Sequence, residues 1–244
     1  LQRIRECPPD VVVLDVEMAE MSGLETLAEI RKLHPKMPVI MFSALTECGS
    51  ATTVDALALG ASDYLTKPSS LGHPGAAAET KAELLRKVRA LGPTPAAGSP
   101  TSARPIPRQQ GGGSGPIEVL LIGCSTGGPN ALTAVIPQLP ADFPVPVLVV
   151  QHMPPMFTGL LAERLDKGSR IRVEEAVAGK RLTAGTAWLA PGGRHLVVER
   201  TPGGVLLGLD DGPPENSCRP AVDPLFRSAV RAWGSRILAV VLTG

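Results

Sequence analysis

The stretch I-G-C-S-T-G-G (Ile122–Gly128) ends an apolar run that begins at Ile117 and holds a serine between glycines. The run predicts a buried strand, and the small residues after it predict a sharp turn into a helix that begins near Pro129. Open α/β sheets carry their functional groups at such strand ends. The stretch therefore predicts an α/β fold in which Ser125 is either a nucleophile or part of a phosphate-binding loop.

The composition is that of a globular protein without a nucleic-acid partner. The chain has 244 residues, with 24 Lys and Arg, 23 Asp and Glu, and a net charge of +1. Residues 1–91 carry 10 basic and 12 acidic side chains, and residues 117–244 carry 12 and 11. Neither half has the basic excess that attracts nucleic acid.

We expect a cytoplasmic protein that does not span a membrane. The long apolar segment Pro129–Val150 is interrupted by five prolines and by Asp142, which oppose a helix in lipid. The widely spaced cysteines form no C-x-x-C pair and predict a reducing compartment with neither a zinc site nor disulfides. They are Cys7, Cys48, Cys124 and Cys218.

Residues 92–116 separate two units of the chain. This segment holds six prolines and six glycines, with one isoleucine and no aromatic residue. Such a composition predicts a flexible linker. We expect residues 1–91 to form one domain and residues 117–244 another.

Strand and helix patterns alternate in both units and predict parallel sheets. In residues 1–91 we expect strands at Val11–Leu14, Pro38–Phe42 and Asp63–Leu65, and helices at Leu24–Leu33, Gly49–Leu59 and Glu79–Leu91. In residues 117–244 we expect helices from about Pro129 and at Pro220–Trp233, and strands at Ile117–Ile122, Val145–Val150, Ile171–Val177, Thr186–Ala190, His195–Val198, Gly204–Leu209 and Ile237–Leu242.

Three predicted strand ends in residues 1–91 carry polar side chains. Asp15 follows the first strand, Ser43 follows the second and Lys67 follows the third. Together they could accept a phosphoryl group on the carboxylate, neutralise it with the ammonium group and sense it through the hydroxyl. Asp15 taken alone would favour a cap of the following loop or helix, but the three strand ends together favour a phosphoacceptor.

Residues 15–68 resemble the receiver domain of response regulators. The resemblance rests on L-D-V-E-M-x-x-M-x-G-L (Leu14–Leu24), on Ser43 and on D-Y-L-T-K-P (Asp63–Pro68). It implies a flavodoxin-like parallel sheet whose first two strands, with the acidic pair that follows the first, would lie before Leu1. We therefore expect a partial receiver that is not phosphorylated as it stands, with an open edge on the Val11–Leu14 strand.

The receiver resemblance also implies roles for single residues. Asp15 would be the phosphoacceptor, and Asp15 and the carbonyl of Glu17 would contact a magnesium ion. Ser43, Tyr64 and Lys67 would form the phosphorylation switch, with Tyr64 as a rotating reporter.

Gly123–Gly127 matches G-x-S-x-G, a strand-to-helix turn that exposes a serine hydroxyl. The stretch lacks the G-K-S/T ending of a P-loop and the G-x-G-x-x-G spacing, so a nucleophile is favoured. His152 ends its predicted strand at the same edge as Ser125 and is the candidate base, with a structural role as the alternative. Cys124 should point into the core if Ser125 points outward. The other histidines lack such a position: His34, His73 and His195.

Residues 117–244 resemble the catalytic domain of chemotaxis protein-glutamate methylesterases of the CheB type, in which a receiver precedes the catalytic domain. The resemblance implies a doubly wound α/β domain that hydrolyses glutamate methyl esters on receptor helices, releases methanol and often deamidates receptor glutamines. The matching stretches are Ile122–Leu132, Val150–Thr158, Ala162–Leu165, Trp188–His195, Asp210–Pro214 and Arg219–Phe226.

The same resemblance makes Ser125 the nucleophile and His152 the base. Thr126 would lie beside the oxyanion site, where a backbone N–H at a helix start stabilises developing charge. The family's orienting aspartate belongs to an M-G-x-D-G segment after the L-T-G that ends here at Gly244, so we expect this chain alone to be close to inactive. Asp223 is a poorer substitute because it begins a helix.

Partners and cofactors follow from the resemblance. Methyl-accepting chemoreceptors would be the substrates, and a chemotaxis histidine kinase would act on the receiver. Arg219 could guide an acidic receptor surface or be a solvated loop arginine. Ester hydrolysis needs no cofactor, whereas phosphorylation of the complete receiver needs magnesium. The alternative function is a receiver fused to a non-catalytic signalling or binding module.

Overall fold

The computed structural model describes residues 1–44, 46–68, 75–93 and 115–243. Both predicted units contain a parallel sheet with helices, which confirms the predicted α/β fold class. The predicted linker, residues 92–116, lies outside the described residues except at its two ends.

The first sheet consists of β1 (Val12–Asp15), β2 (Val39–Ser43) and β3 (Asp63–Thr66). All three strands are parallel, in the order β1-β2-β3, and each agrees with its prediction to within one residue at either end. Among the strands that the structure describes, β1 lies at one edge of the sheet, as the predicted open side requires. Val13 on this strand is 44% exposed.

The described residues of the first unit form four helices: α1 (Gln2–Glu6), α2 (Gly23–Leu33), α3 (Glu47–Ala58) and α4 (Ala76–Leu91). α2 begins with a capping box formed by Ser22 and Glu25. Glycine is required at its first position, because a Cβ on Gly23 would lie 2.2 Å from the carbonyl oxygen of Asp15. α1 is absent from the sequence-based prediction, since it buries no side chain and shows no apolar periodicity.

The second sheet consists of β4 (Val119–Cys124), β5 (Val147–Gln151), β6 (Arg172–Glu175), β7 (Thr186–Leu189) and one later strand, Ile237–Val241. β8 (His195–Thr201) and β9 (Gly204–Asp210) form a separate antiparallel hairpin, which makes the later strand β10. The order in the parallel sheet is β10-β4-β5-β7-β6. β4 and β5 are buried along their whole length, as strands with both faces covered must be.

Helices and the hairpin cover the two faces of this sheet. On one face lie α5 (Gly128–Val135) and α6 (Pro155–Gly168), which pack against alternate residues of β4. On the other face, α7 (Val222–Trp233) and the β8–β9 hairpin pack against the remaining residues of β4. The predicted doubly wound architecture is therefore confirmed. None of the helices in the described ranges is long and apolar enough to cross a membrane.

α6 is missing from the sequence-based prediction. Its apolar residues Phe157, Leu161 and Leu165 recur at every fourth position and are all buried, which is a helical signal. Pro155 occupies the first helical position, where proline is favoured because that N–H has no partner in the helix. The adjacent prolines thus mark the start of the helix instead of excluding one.

Candidate active site

Ser125 lies in a tight turn between a buried strand and a helix. Cys124 is the last residue of β4, and α5 begins at Gly128. Gly127 has a φ of 74°, a left-handed conformation that glycine adopts without steric cost. The N–H of Gly128 donates to the carbonyl of Ser125 (2.9 Å) and closes the turn. The turn holds Ser125 at the carboxyl edge of the sheet.

The strand register brings His152 to the same place. β4 and β5 are parallel and pair Cys124 with Gln151, so the next residue of each strand is Ser125 and His152. The N–H of His152 donates to the carbonyl of Cys124 (3.2 Å). Nδ1 of His152 lies 3.2 Å from Oγ of Ser125. The two residues are in hydrogen-bond contact.

The surroundings of His152 favour its neutral form. Burial lowers the pKa of His152 below its usual value, the positive charge of Lys87 lowers it further, and Asp223 acts in the opposite direction. A neutral ring with its proton on Nε2 can accept a proton at Nδ1. Asp223 is exposed in the first turn of α7 and accepts from Nδ2 of Asn216 (3.5 Å). Within the described ranges, no carboxylate forms a hydrogen bond with His152.

Cys124 faces away from the site. Its side chain is 1% exposed and belongs to the same core as α5, as side-chain alternation along β4 predicts. Burial raises the pKa of the thiol to about 12. A buried, protonated thiol is a poor nucleophile.

The other described histidines serve elsewhere. His195 is buried at the start of β8; its Nε2 lies 3.0 Å from the carbonyl oxygen of Pro213, and its Nδ1 accepts from the N–H of Ala221 (3.1 Å). Both ring nitrogens are therefore used within the fold. His34 follows α2 in the first unit, and His73 lies outside the described residues.

The backbone amides of the turn at residues 125–128 are donors, and one of them already has an anionic partner. The N–H of Ser125 donates to Oγ1 of Thr243 (3.0 Å), and the N–H of Gly127 donates to Oδ2 of Asp63 (3.2 Å). Asp63 belongs to β3 in the first unit. Its carboxylate occupies the start of α5, where a helix attracts negative charge. Sequence reasoning missed this contact, which joins residues 64 positions apart.

Asp63 is part of a direct contact between the two units. Its side chain is 3% exposed, and its Oδ1 accepts from Nζ of Lys87 (2.9 Å). Beside it, the ring of Tyr64 stacks on that of Phe157 with centroids 4.7 Å apart. Nδ2 of Asn130 donates to a carbonyl oxygen of the first unit (2.7 Å). The first unit therefore packs on α5 and α6, close to the turn that holds Ser125.

Comparison with known proteins shows to which protein family the chain belongs. The family model described as CheB methylesterase matches residues 120–244, and that of the response regulator receiver domain matches residues 1–74. The chain is 44% identical over 257 residues to a protein-glutamate methylesterase/protein-glutamine glutaminase of Trichodesmium erythraeum, covering 100% of this chain and 71% of that protein. The chain belongs to the CheB methylesterase family.

Two further CheB proteins support this relationship. The protein of the same name from a Nocardioides species is 46% identical over 253 residues, covering 100% of this chain and 69% of that protein. The crystal structure of the Thermotoga maritima CheB methylesterase catalytic domain matches with 44% identity and a TM-score of 0.51, over 52% of this chain and 68% of that chain. These relatives do not favour the alternative of a non-catalytic module.

In the receiver part of this CheB-family chain, Asp15 and Lys67 are in contact. Oδ2 of Asp15 lies 2.7 Å from Nζ of Lys67, and Oδ1 accepts from the N–H of Glu17 (2.9 Å). Burial alone would raise the pKa of the Asp15 carboxyl, but the hydrogen bonds from Lys67 and Glu17 hold it below its usual value. Asp15 is thus a charged carboxylate beside a neutralising ammonium group.

Ser43 and Tyr64 do not share this contact. Ser43 ends β2 as predicted, but its hydroxyl donates to the carbonyls of Ala44 and Gly49 (both 3.2 Å). Tyr64 is buried between the units, and burial, followed by the charge of nearby carboxylates, raises its pKa well above the usual value. The structure thus places Tyr64 at the contact with the catalytic unit.

The predicted magnesium ligands, Asp15 and the carbonyl of Glu17, supply oxygen atoms. Magnesium binds oxygen ligands in octahedral geometry and usually keeps several waters. The carboxylate of Asp15 and the carbonyl of Glu17 fit this chemistry as two ligands. The described part of the chain contains no cluster of three or more His, Cys, Asp or Glu that could hold a metal ion. The remaining ligands would have to come from elsewhere.

A cavity of about 680 Å³ lies between the two units at the candidate site. The catalytic unit contributes Ser125, Thr126 and His152 to its lining, and α4 contributes Lys87. Arg219 also lines it, but its Nη1 donates to the carbonyls of two loop residues at 3.1 and 2.9 Å. The Arg219 guanidinium therefore holds its own loop while it faces the cavity.

Replacing Lys87 with methionine should raise the pKa of His152, because the variant removes a positive charge that opposes the imidazolium ion. The Lys87 side chain is 12% exposed, so water screens its charge only in part. The measurement is the NMR titration of the His152 ring in residues 1–244, assigned with a His152→Gln variant. Because protonated His152 cannot act as a base, the pH below which the rate of reaction at Ser125 falls should move to a higher value together with this pKa.

Lys81→Met is the matched control, because Lys81 lies exposed on the same helix. It should leave the His152 titration unchanged. A folded Lys87→Met variant with the wild-type midpoint would show that Lys87 does not set the charge of His152.

Proposed function

We propose that this chain is a phosphorylation-regulated serine esterase that hydrolyses glutamate methyl esters on methyl-accepting chemoreceptors and releases methanol in the cytoplasm. Deamidation of receptor glutamines at the same site is part of the proposal. The observation that carries it is the 3.2 Å contact between Oγ of Ser125 and Nδ1 of His152 at the start of a helix. The names of the similar proteins contain both activities.

The chemistry follows from this contact. His152 takes the Ser125 proton at Nδ1 while Oγ attacks the ester carbonyl carbon. Backbone N–H groups at the start of α5, with Thr126 among them, stabilise the tetrahedral oxyanion. The imidazolium returns the proton to the departing methoxide, so methanol leaves and an acyl-serine remains. Water, deprotonated by His152, then releases the glutamate carboxylate; from glutamine, ammonia leaves instead.

A carboxylate on Nε2 of His152 would complete the site. We assign this role to the aspartate of the family's M-G-x-D-G segment, because Asp223 contacts Asn216 instead. A triad with the wrong histidine tautomer loses about 10⁴ in turnover. Activity is therefore measured on the extended protein, meaning residues 1–244 flanked by the first receiver strands, with their acidic pair, and by the M-G-x-D-G segment.

In this proposal the receiver acts as an inhibitory cover. The carboxylate of Asp63 accepts a hydrogen bond from the N–H of Gly127 at the start of α5, where the developing oxyanion needs donors. The next residue, Tyr64, stacks on Phe157 of α6. Phosphorylation of Asp15 by a chemotaxis histidine kinase, with magnesium, would favour a receiver conformation that docks less well.

The nucleophile can be identified with two adjacent substitutions in the extended protein. Ser125→Ala should lower methanol release from methylated receptor membranes by about 10⁴ or more, because the attacking oxygen is lost. Cys124→Ala should retain most of the activity, since the thiol is buried and protonated. An exchange of the two results would overturn the assignment of Ser125.

The inhibitory cover makes a second prediction for the extended protein. Removal of all residues up to about 112 should raise basal methanol release, because the contact through Asp63 and Tyr64 is lost. Asp15→Asn should keep the basal rate but abolish stimulation by a small phosphodonor. Equal basal rates for the intact and shortened proteins would mean that the receiver does not inhibit.

A further inference from the structure

Gln151 is a buried amide directly beneath the candidate site. It is the last residue of β5 and only 2% exposed. Its Nε2 donates to the carbonyl oxygen of Ser125 (3.0 Å) and to that of His152 (3.2 Å). We infer that Gln151 is a positioning residue of the esterase, which holds the backbone of both members of the pair in one geometry. The inference rests on the proposed function.

The bond to Ser125 fixes the direction of the next amide. The carbonyl of Ser125 and the N–H of Thr126 belong to one planar trans peptide and point in opposite directions. Gln151 and the N–H of Gly128 both hold that carbonyl on the buried side of the turn. The N–H of Thr126 is thereby turned toward the cavity that Thr126 lines. Gln151 thus aims a donor at the position of the oxyanion.

The bond to His152 fixes the backbone from which the imidazole extends. Ser125 and His152 are 27 residues apart in sequence, yet one NH₂ group holds both carbonyls. Movement of the turn at residues 125–128 relative to His152 must break at least one of these two hydrogen bonds. Misplacement of reacting groups by about 1 Å can cost about 10²-fold in rate. Gln151 therefore restricts the movement to which the reaction is most sensitive.

One atom of the glutamine is unfavourable for stability, which argues for a functional reason. Its Oε1 is buried and has no hydrogen-bond partner among the described residues, and a buried unpaired acceptor is destabilising. The amide also requires glycine at position 128, because a Cβ on Gly128 would lie 1.8 Å from Oε1. Methionine would fill similar space without an unpaired acceptor. Methionine would lose the donors, whose partners among the described residues are the carbonyls of Ser125 and His152 alone.

The test replaces Gln151 in the extended protein. Gln151→Met removes the unpaired acceptor, which is stabilising, and two hydrogen bonds to backbone carbonyls, which is destabilising, so its stability should stay close to that of the wild type. Its kcat for methanol release should fall about 100-fold, the effect of losing one oxyanion donor. Its KM should stay within about two-fold, because ground-state binding is unchanged. Gln151→Glu places an oxygen against both carbonyls and should lower kcat at least as far.

Ser228→Ala is the matched control. Ser228 is 2% exposed on α7, and its hydroxyl bonds to the N–H of Val198 and the carbonyl of Leu225. Its loss should lower the thermal unfolding temperature without changing kcat. A merely structural Gln151 would behave in the same way. If Gln151→Glu does not fold, Gln151→Met alone decides.

A second readout separates this inference from the proposed function. A fluorophosphonate phosphonylates Ser125: Oγ attacks phosphorus, fluoride leaves, and His152 accepts the hydroxyl proton. The rate is followed by mass spectrometry of the intact protein. Slower phosphonylation in Gln151→Met than in the wild type supports the positioning role. If the wild type releases no methanol, that result refutes the proposed function and leaves the positioning role supported. Wild-type kcat and phosphonylation rates in folded Gln151→Met, or a raised KM alone, would overturn the inference.

Discussion

The parallel pairing of β4 with β5 is the constraint on which the candidate site depends. It sets Cys124 opposite Gln151, so the residues that follow, Ser125 and His152, leave the sheet side by side. A shift of one residue would move each side chain of a strand to the opposite face of the sheet, where it would meet a different core. Both strands are buried along their whole length at the centre of the sheet, which fixes the register. The contact between hydroxyl and imidazole is a consequence of that packing.

The turn that holds Ser125 makes hydrogen bonds on its buried side and also with the receiver. On the buried side, Gln151 and the N–H of Gly128 fix the carbonyl of Ser125. On the side of the receiver, Asp63 accepts the N–H of Gly127 at the start of α5. Donors that the reaction needs are therefore close to donors that the receiver uses for docking. The proposed inhibition can therefore act directly on the reaction, since docking of the receiver and stabilisation of the oxyanion both depend on backbone amides of one short turn.

The meeting of Ser125 and His152 could be predicted because each follows an apolar run, and parallel strands end at a common edge. α6 was not predicted because adjacent prolines precede its apolar stripe, and prolines also end helices. The contact of Asp63 with Gly127 could not be predicted, since it depends on how two folded surfaces dock and leaves no local pattern. Domain boundaries and a substrate role for Arg219 stay predictions, because nothing described tests them.

The roles of Ser125 and His152 are tested most sharply by locating the acyl group during turnover. The extended protein is mixed with a methylated receptor peptide, quenched in acid within one turnover and mapped by mass spectrometry. We expect a glutamyl ester on Ser125 in the wild type and none at the same time in His152→Gln. An acyl group on Cys124 or another residue, or undiminished acylation of Ser125 in His152→Gln, would contradict these roles.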